Sequence, residues 1–309
     1  MQVFRGARDR VKSPVALTIG NFDGVHLGHQ AMLKRLCDAA LGLDLPAAVL
    51  TFEPHPREFF SAADAPARLT SMREKLELLE EHGVDQVHVV RFNREFAALS
   101  PEQFIEQLLV KNLRARWLLV GDDFRFGARR EGDTALLQRA ASQFGFALAS
   151  LTRVEVAGQR VSSTGVREAL ANGDFARATR LLGRAYCIGG RVAHGEKLGR
   201  KLGFPTANIA LKRNRTPLAG IYAVKLHGID SNPLPGVASL GVRPTVMDAA
   251  APVLEIHLFD FDRDIYGRRV KVEFLRKLRD EEKFNDLESL RRQIAIDVEQ
   301  ARHYLTKNL

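Results

Sequence analysis

Near its middle this chain changes the period of its hydrophobic pattern, and that change limits what it can fold into. Up to about residue 183, short apolar runs alternate with helical patterns. Val15–Ile19 is β-rich and ends at Gly20, and residues 29–40 then set Met32, Leu33 and Leu36 at helical spacing. Residues 47–51, Gln86–Arg91, 117–121 and Ala147–Leu151 read as further strands. Between them, residues 73–81, 101–111 and Thr134–Phe144 read as amphipathic helices, with Ser100 capping the second and Pro101 in its first turn. Two more helical stretches follow, 164–171 and Phe175–Leu182. Strand–helix alternation at this pitch predicts a parallel sheet covered on both faces. Beyond it the pattern turns to short β runs at 189–192, 221–227, 253–259 and 270–275, separated by Gly, Pro and Asp turns with no helix between them. That spacing predicts an antiparallel barrel. Leu287, Leu290, Ile294, Val298, Ala301 and Leu305 close the chain as an amphipathic helix. The expected division is therefore 1–183 and 184–309, with the boundary near 182–185.

The 309 residues suffice for two domains of roughly 100–200 residues each. A 45% hydrophobic and 27% charged composition is that of a soluble globular protein, and no apolar run approaches the ~20 residues of a bilayer span. The first twelve residues are too charged for a signal peptide. Cys37 and Cys187 stand far apart without metal-ligand spacing, which predicts buried free thiols and a reducing, cytoplasmic setting. The net charge of +9 is uneven. There are 24 basic and 22 acidic residues through Gly183, and 22 and 15 after it. A basic excess attracts ATP or a phosphorylated small molecule as well as it attracts RNA. The phenylalanines sit singly in apolar patterns, without the aromatic–basic alternation of an RNA-binding sheet. Small-molecule substrates are expected, with no nucleic acid or membrane partner, in a monomer or weak homo-oligomer.

In a parallel α/β sheet, ligands sit beyond the carboxyl ends of the strands. That rule singles out the loops after Ile19, Thr51 and Val120. The first is Gly20-Asn-Phe-Asp-Gly-Val-His-Leu-Gly-His29, which is neither a Walker loop nor a GxGxxG fingerprint. Its glycines permit close backbone approach, and His26 and His29 stand at a helix entrance, where free N–H groups and the helix dipole suit phosphate. Two imidazoles there can donate to oxygens that gain charge at an attacked phosphate; a glycine-rich turn with two incidental histidines is the plain alternative.

His26-Leu-Gly-His29 resembles the HxGH signature of the adenylyl- and cytidylyltransferase superfamily, and Val161-Ser-Ser-Thr-Gly-Val-Arg167 resembles that superfamily's second motif. The resemblance implies a Rossmann-like nucleotidyltransferase fold. ATP contacts would come from Gly20, Asn21, Phe22, Asp23, Gly28, Ser162, Ser163, Thr164 and Arg167, and catalysis from His26, His29 and Arg167. Ser163 or Thr164 would also cap the 164–171 helix. Thr51-Phe-Glu-Pro-His-Pro-Arg57 and Gly121-Asp-Asp-Phe-Arg-Phe-Gly127 are similar to segments of the prokaryotic bifunctional riboflavin kinase/FMN adenylyltransferase (FAD synthetase) family. That implies flavin contacts at Phe52, Pro56, Asp123 and Phe126. As residues alone, Glu53-Pro-His-Pro is equally a rigid structural turn, and His55 lacks the companions of a metal site.

The second half offers a basic, glycine-rich run from Gly189 to Asn208, read by composition as either a phosphate cradle or a surface loop. Pro205-Thr206-Ala207-Asn208 resembles the PTAN motif of riboflavin kinases. The resemblance implies ATP contacts at Gly190, Gly195, Lys197, Gly199, Lys201, Thr206 and Asn208, with Mg²⁺ held through Thr206 and Asn208, oxygen ligands suited to a hard cation. Glu255 falls at the family's general base; on its own, an acid in a β-rich run reads more simply as one half of a salt bridge. Arg279, Glu282 and Phe284 fall where the family contacts the flavin. Ser239 departs from the Asn common before the Gly-x-Arg-Pro-Thr stretch. The resemblance thus implies a riboflavin kinase barrel with a terminal helix after the nucleotidyltransferase domain, with ATP, riboflavin, FMN and FAD as substrates or products. Other readings remain: a nucleotidyltransferase for another phosphorylated acceptor with a non-catalytic barrel, an RNA-associated module, or a family member with one dead domain.

Overall fold

The computed structural model describes residues 1–6, 13–195, 198–213, 215–242 and 252–307, and the side chains of Leu198, Lys201 and Val242 lie outside the described part. The chain forms two compact units, Met1–Pro66 with Met72–Ser162, and Ala67–Ser71 with Ser163–Leu309.

The first unit is built on a six-stranded sheet of β1 (Gln2–Arg5), β2 (Val15–Ile19), β3 (Ala47–Glu53), β4 (Gln86–Arg91), β5 (Ala115–Gly121) and β6 (Ala147–Leu151). The spatial order is β1-β4-β3-β2-β5-β6, and every neighbouring pair is parallel. All five residues of β2 are buried, as the continuous apolar run of a two-faced parallel sheet requires. Alternate residues feed opposite cores. Val15, Leu17, Ile19, Leu118 and Val120 pack with Phe104, Leu108 and Leu137, while Ala16, Val49, Val87 and Leu119 pack with Leu33, Leu36 and Leu79. The helices are α1 (Leu27–Gly42), α2 (Pro56–Phe60), α3 (Met72–Glu81), α4 (Arg94–Ala97), α5 (Pro101–Gln103) and α6 (Thr134–Phe144). Ser100 caps α5 through a capping box with Gln103, and the helix then continues as a π-helix over Phe104–Asn112. A small hairpin, β7 (Glu155–Val156) with β8 (Gln159–Arg160), follows β6. From β2 the chain builds outward to β3 and β4, then returns to lay β5 and β6 on the other side. The switch point lies between β2 and β5, and their carboxyl ends frame the crevice where such sheets take ligands.

The second unit starts with α7 (Ser163–Ala171) and α8 (Phe175–Leu182). Six antiparallel strands then close a barrel in the order β10-β13-β12-β11-β14-β9. They are β9 (Cys187–Ala193), β10 (Ala207–Ala210), β11 (Gly220–His227), β12 (Leu234–Val242), β13 (Pro252–Leu258) and β14 (Arg269–Arg279). Two of these were not expected. β10 is short, and β12 carries Pro235, Gly236 and Gly241, residues of low strand propensity. At Gly236 a Cβ would come within 2.6 Å of the His257 carbonyl, so the glycine permits the close approach of β13. The expectation that no helix intervenes before the last one also fails, because the helical turn α9 (Leu198–Lys201) lies between β9 and β10. The closing helix α10 (Leu287–Lys307) lays Ala301 and Leu305 against Ile221, Ala223 and Val237. Arg279 of β14 ties it down with two charge-assisted hydrogen bonds to Asp297, at 2.8 and 2.7 Å, and Gln293 donates to the same carboxylate.

Two stability predictions follow from buried polar groups. His88 on β4 is 2% exposed, stacks on Phe4 across the β1 pairing at 4.8 Å, and has no hydrogen-bond partner for Nε2 among the described residues. Burial lowers its pKa to about 4. The unfolded chain takes up this proton near pH 6.5 and the folded one only near pH 4, so stability falls as pH drops through that window. Urea unfolding should show about 3 kcal/mol less stability at pH 4 than at pH 7 from this residue, and His88→Phe should flatten that segment of the pH profile. In the second unit, Asp297→Ala strands a largely buried guanidinium and should cost about 3–5 kcal/mol. Replacing both partners, Arg279→Met with Asp297→Leu, should cost less than the single change.

Candidate active sites

The loop after β2 departs from ordinary backbone geometry. Phe22 and Val25 are both fully buried yet hold positive φ, 48° and 40°. For a β-branched valine this is a genuine outlier, and such residues cost about 1–3 kcal/mol each and gather at functional sites. The distortion turns the chain directly into α1. His26 is the N-cap of that helix, and its Nδ1 accepts from the His29 backbone N–H at 3.3 Å. An accepting Nδ1 leaves the proton of the neutral ring on Nε2, which is thereby a donor. The two imidazoles stack at 3.7 Å, with 14° between planes. Gly28 permits this, because a Cβ there would lie 3.2 Å from the His26 ring. His29 is partly exposed, its Nδ1 is buried without a partner among the described residues, and the same holds for Oδ1 of Asn21. Desolvation, then the charges of His26 and Lys75, holds the His29 pKa well below its usual value. The entrance of α1 therefore presents His29 as a neutral imidazole beside the Nε2 donor of His26, on a helix N-terminus that favours an anion. Asp23 is buried in the same loop.

Around this entrance the other two predicted loops end β3 and β5. Thr51 is buried and donates to the Asn21 carbonyl at 3.3 Å, joining the loops after β2 and β3. Phe52 is half-buried against Phe92 and Phe96, and Pro56 is the first residue of α2. His55 caps α2 by accepting from the Arg57 N–H at 3.1 Å, while Glu58 accepts from the His55 N–H. Asp123 is exposed, and Arg160 from the β7–β8 hairpin donates to it at 2.7 Å. Phe126 is in the core, its ring 5.1 Å from Phe104. In the 162–167 stretch, Ser162 ends the first unit and α7 begins at Ser163, one residue earlier than expected. Ser163 and Thr164 therefore occupy the first turn, and the cap position falls to Ser162. Arg167 donates through Nε to the Ala67 carbonyl at 2.6 Å, within the second unit.

The barrel gathers its predicted residues more completely. One cavity of about 240 Å³ is lined by Gly199, Thr206, Asn208, Glu255, Arg279, Glu282 and Phe284. Register explains the meeting: Glu255 of β13 pairs with Asn208 of β10 on one side and with Ser239 of β12 on the other. In β13, residues 252, 254, 256 and 258 are buried and residues 253, 255 and 257 are not, so Glu255 faces away from the barrel core. His257 lines the cavity two residues on and contacts the Pro205 carbonyl through Nδ1 at 2.9 Å. A second cavity, of about 490 Å³, shares Thr206 and is walled by Arg200, Arg263 and Tyr266. Gly195 makes room for the Asn208 side chain, which a Cβ there would overlap, and Gly199 lies against Phe204 and Thr206. Gly190 lines neither cavity; a Cβ there would overlap Ile209, so it serves the close pairing of β9 with β10. Lys197 and the 243–245 stretch lie outside the described residues, as does the Lys201 side chain. Among the described residues no group of three or more His, Cys, Asp and Glu side chains could hold a metal ion. The oxygens of Thr206, Asn208 and Glu255 at one cavity wall nonetheless form a hard donor set that fits a magnesium ion arriving with nucleotide phosphates.

Several residues at these sites were not anticipated. Lys75 is a buried cation on the 72–75–79 stripe of α3, where helical spacing asks for an apolar residue, and that misfit was a readable signal. His257 shares a strand face with Glu255, also readable. Arg160, Glu281 and Asp297 meet their sites only through tertiary packing.

Comparison with known proteins agrees with this division of sites. The FAD synthetase family model matches residues 8–165, and the riboflavin kinase model matches residues 182–305. The bifunctional riboflavin kinase/FMN adenylyltransferase of Escherichia coli (strain K12) is 50% identical over 99% of both chains. That of Haemophilus influenzae is 49% identical over 98% of this chain and 99% of the other. A solved structure from Streptococcus pneumoniae, described as a macrolide-efflux protein, matches with a TM-score of 0.79 and 29% identity over 98% of this chain and 99% of that one. Among the described residues of the present chain, no helix is long and apolar enough to cross a membrane. With a family model matching each half and full-length relatives at half identity, the chain belongs to the bifunctional riboflavin kinase/FMN adenylyltransferase family.

Proposed function

We propose that residues 184–309 phosphorylate riboflavin to FMN and that residues 1–183 transfer an adenylyl group from ATP to FMN, giving FAD and pyrophosphate. The chain carries both activities, riboflavin kinase and FMN adenylyltransferase, as its family does, with ATP, riboflavin, FMN and FAD as substrates or products. The observation that carries the residue assignment is the row Asn208–Glu255–Ser239 across three barrel strands, with Arg279, Glu282 and Phe284 at the same cavity.

In the kinase step, the ribityl 5′-hydroxyl oxygen attacks the γ-phosphorus, its proton passes to the Glu255 carboxylate, and ADP departs. Arg279, Glu282 and Phe284 bound the flavin side. Thr206 and Asn208 would hold Mg²⁺, which when bound neutralises phosphate charge. Gly195 and Gly199 leave space for those side chains. In the adenylylation step, an FMN phosphate oxygen attacks the α-phosphorus of ATP and the bond to pyrophosphate breaks. His26 donates from Nε2 and His29 from its ring N–H toward oxygens that gain charge. Ser162, Ser163, Thr164 and Arg167 take the phosphate-binding role implied by their motif. Phe52, Pro56, Asp123 and Phe126 take the flavin side, with Arg160 fixing Asp123. The enzyme works on small molecules in the cytoplasm, as a monomer or weak homo-oligomer, without a nucleic acid or membrane partner.

The test is to incubate the pure chain with riboflavin, ATP and Mg²⁺ and to resolve FMN and FAD by chromatography. His29→Ala should lower FAD formation about 100-fold or more while FMN formation stays near wild type. Glu255→Ala should lower FMN formation about 100- to 10,000-fold and leave the conversion of supplied FMN to FAD intact. Loss of both activities from either change in a folded protein overturns the two-site assignment. Chelation of divalent ions should stop FMN formation, and added Mg²⁺ should restore it.

A further inference from the structure

The first unit buries a lysine whose contacts lead toward the histidine pair, and no role described so far uses it. Lys75 is 5% exposed, on the inward stripe of α3 with fully buried Leu79 one turn on. A lysine in that position is expensive, because an ammonium taken out of water loses its hydration. Its Nζ lies 3.5 Å from Oγ1 of Thr51, at the carboxyl end of β3. That hydroxyl donates to the carbonyl of Asn21, in the loop after β2. The next residue is the strained Phe22, whose ring lies 4.9 Å from that of His29. The ammonium thus belongs to a chain of contacts running from α3 through the ends of two central strands to the imidazoles.

We infer that Lys75 is a positioning residue of the adenylyl-transfer site, whose ammonium holds the Thr51 hydroxyl that joins the end of β3 to the 20–29 loop and adds its positive charge to the field at His29. The inference rests on the adenylyltransferase reading of that loop. The charged groups that act on His29 are His26 at the same helix entrance and Lys75 from α3, and Asp23 is buried in the same loop. Burial, then His26 and then Lys75, favours the neutral form of His29, so the ammonium adds to a field that keeps the ring a neutral donor. A neutral imidazole and a fixed ammonium stabilise a phosphoryl group gaining charge without reorganising during the step.

The test compares the full-length wild type with Lys75→Met, assaying FMN plus ATP going to FAD and riboflavin going to FMN in parallel. The imidazole signals are followed by NMR as pH is varied, with His29 assigned from a His29→Gln variant. The expected result for Lys75→Met is a fall in adenylylation kcat of about 100-fold, unchanged riboflavin phosphorylation, and a His29 titration moved upward. A folded Lys75→Met chain that adenylylates within about threefold of wild type, or whose His29 titration does not move, overturns the inference. Should Lys75→Met unfold the first unit, Lys75→Arg decides. Retained charge predicts adenylylation within about tenfold of wild type and an unmoved His29 titration, and a folded Arg variant that fails either measure overturns the role. A wild-type chain that makes no FAD from FMN would instead overturn the adenylyltransferase reading, so the two failures are distinct.

Discussion

Strand register is the constraint on which both sites depend. In the first unit, parallel pairing aligns the carboxyl ends of β2, β3 and β5, so loops distant in sequence converge at one edge of the sheet. In the barrel, antiparallel pairing sets Asn208, Glu255 and Ser239 directly opposite one another on neighbouring strands. Residues so paired carry Cβ atoms about 4.5–5.5 Å apart. A slip of one residue in β13 would send Glu255 into the barrel interior and bring Leu254 or Ile256 to the cavity. The backbone hydrogen bonds that make the fold also aim the chemistry, and the burial of alternate residues in β13 penalises the slip.

The first site adds local strain and charge placement to that framework. The left-handed backbone at Phe22 and Val25 would not persist in a loose loop. It is held because both side chains are fully enclosed in the core that packs α1 and α3 on the sheet. That same packing carries Lys75 to Thr51 and lets His26 cap α1. The stored strain, and the Nδ1 of His29 and Oδ1 of Asn21 that have no partner among the described residues, are separate departures from what a stable loop would choose, and they fall within nine residues. A sequence selected for stability alone would remove them.

Much of this was legible in the sequence because the decisive residues are contiguous. The His26–His29 pair, the 205–208 tetrad and the strand–helix alternation each occupy one short window with a physical reason for its residue types. β10 and β12 were missed for the opposite reason. β10 is only four residues long, and in β12 the glycines and proline argue against strand locally, where only the close approach of His257 to Gly236 shows why they belong. The π-helical course of 104–112 has an apolar pattern that an α-helix would also have, so periodicity could not separate the two. Composition left the run around Gly190 as either a phosphate cradle or a surface loop; in the barrel a Cβ at Gly190 would overlap Ile209 on the adjacent strand, a constraint that no local window displays. Asp297 carries no signal of its own until β14 and α10 meet.

The charge of the barrel unit can now be placed more closely than a count allows. Residues 184–309 hold the basic excess of the chain, yet the cavity they build is lined by Glu255, Glu281, Glu282 and Asp297 against Arg279 and His257. Asp297 is already committed to Arg279. The remaining carboxylates make this wall acidic, which suits an uncharged flavin and a hydroxyl that must lose a proton. It does not suit a bare triphosphate. Arg200 and Arg263 stand at the neighbouring cavity, which shares Thr206, together with Asp262 and Asp264, and Arg263 is already paired with Asp230. On the proposed assignment the hydroxyl approaches from the acidic side. Thr206 then marks the boundary between the two cavities, with the Asn208 oxygen on the acidic side as a second partner for a divalent cation. The basic excess of residues 184–309 is therefore carried away from this wall, and the cavity's own acidic lining is what bears on the hydroxyl that must lose its proton.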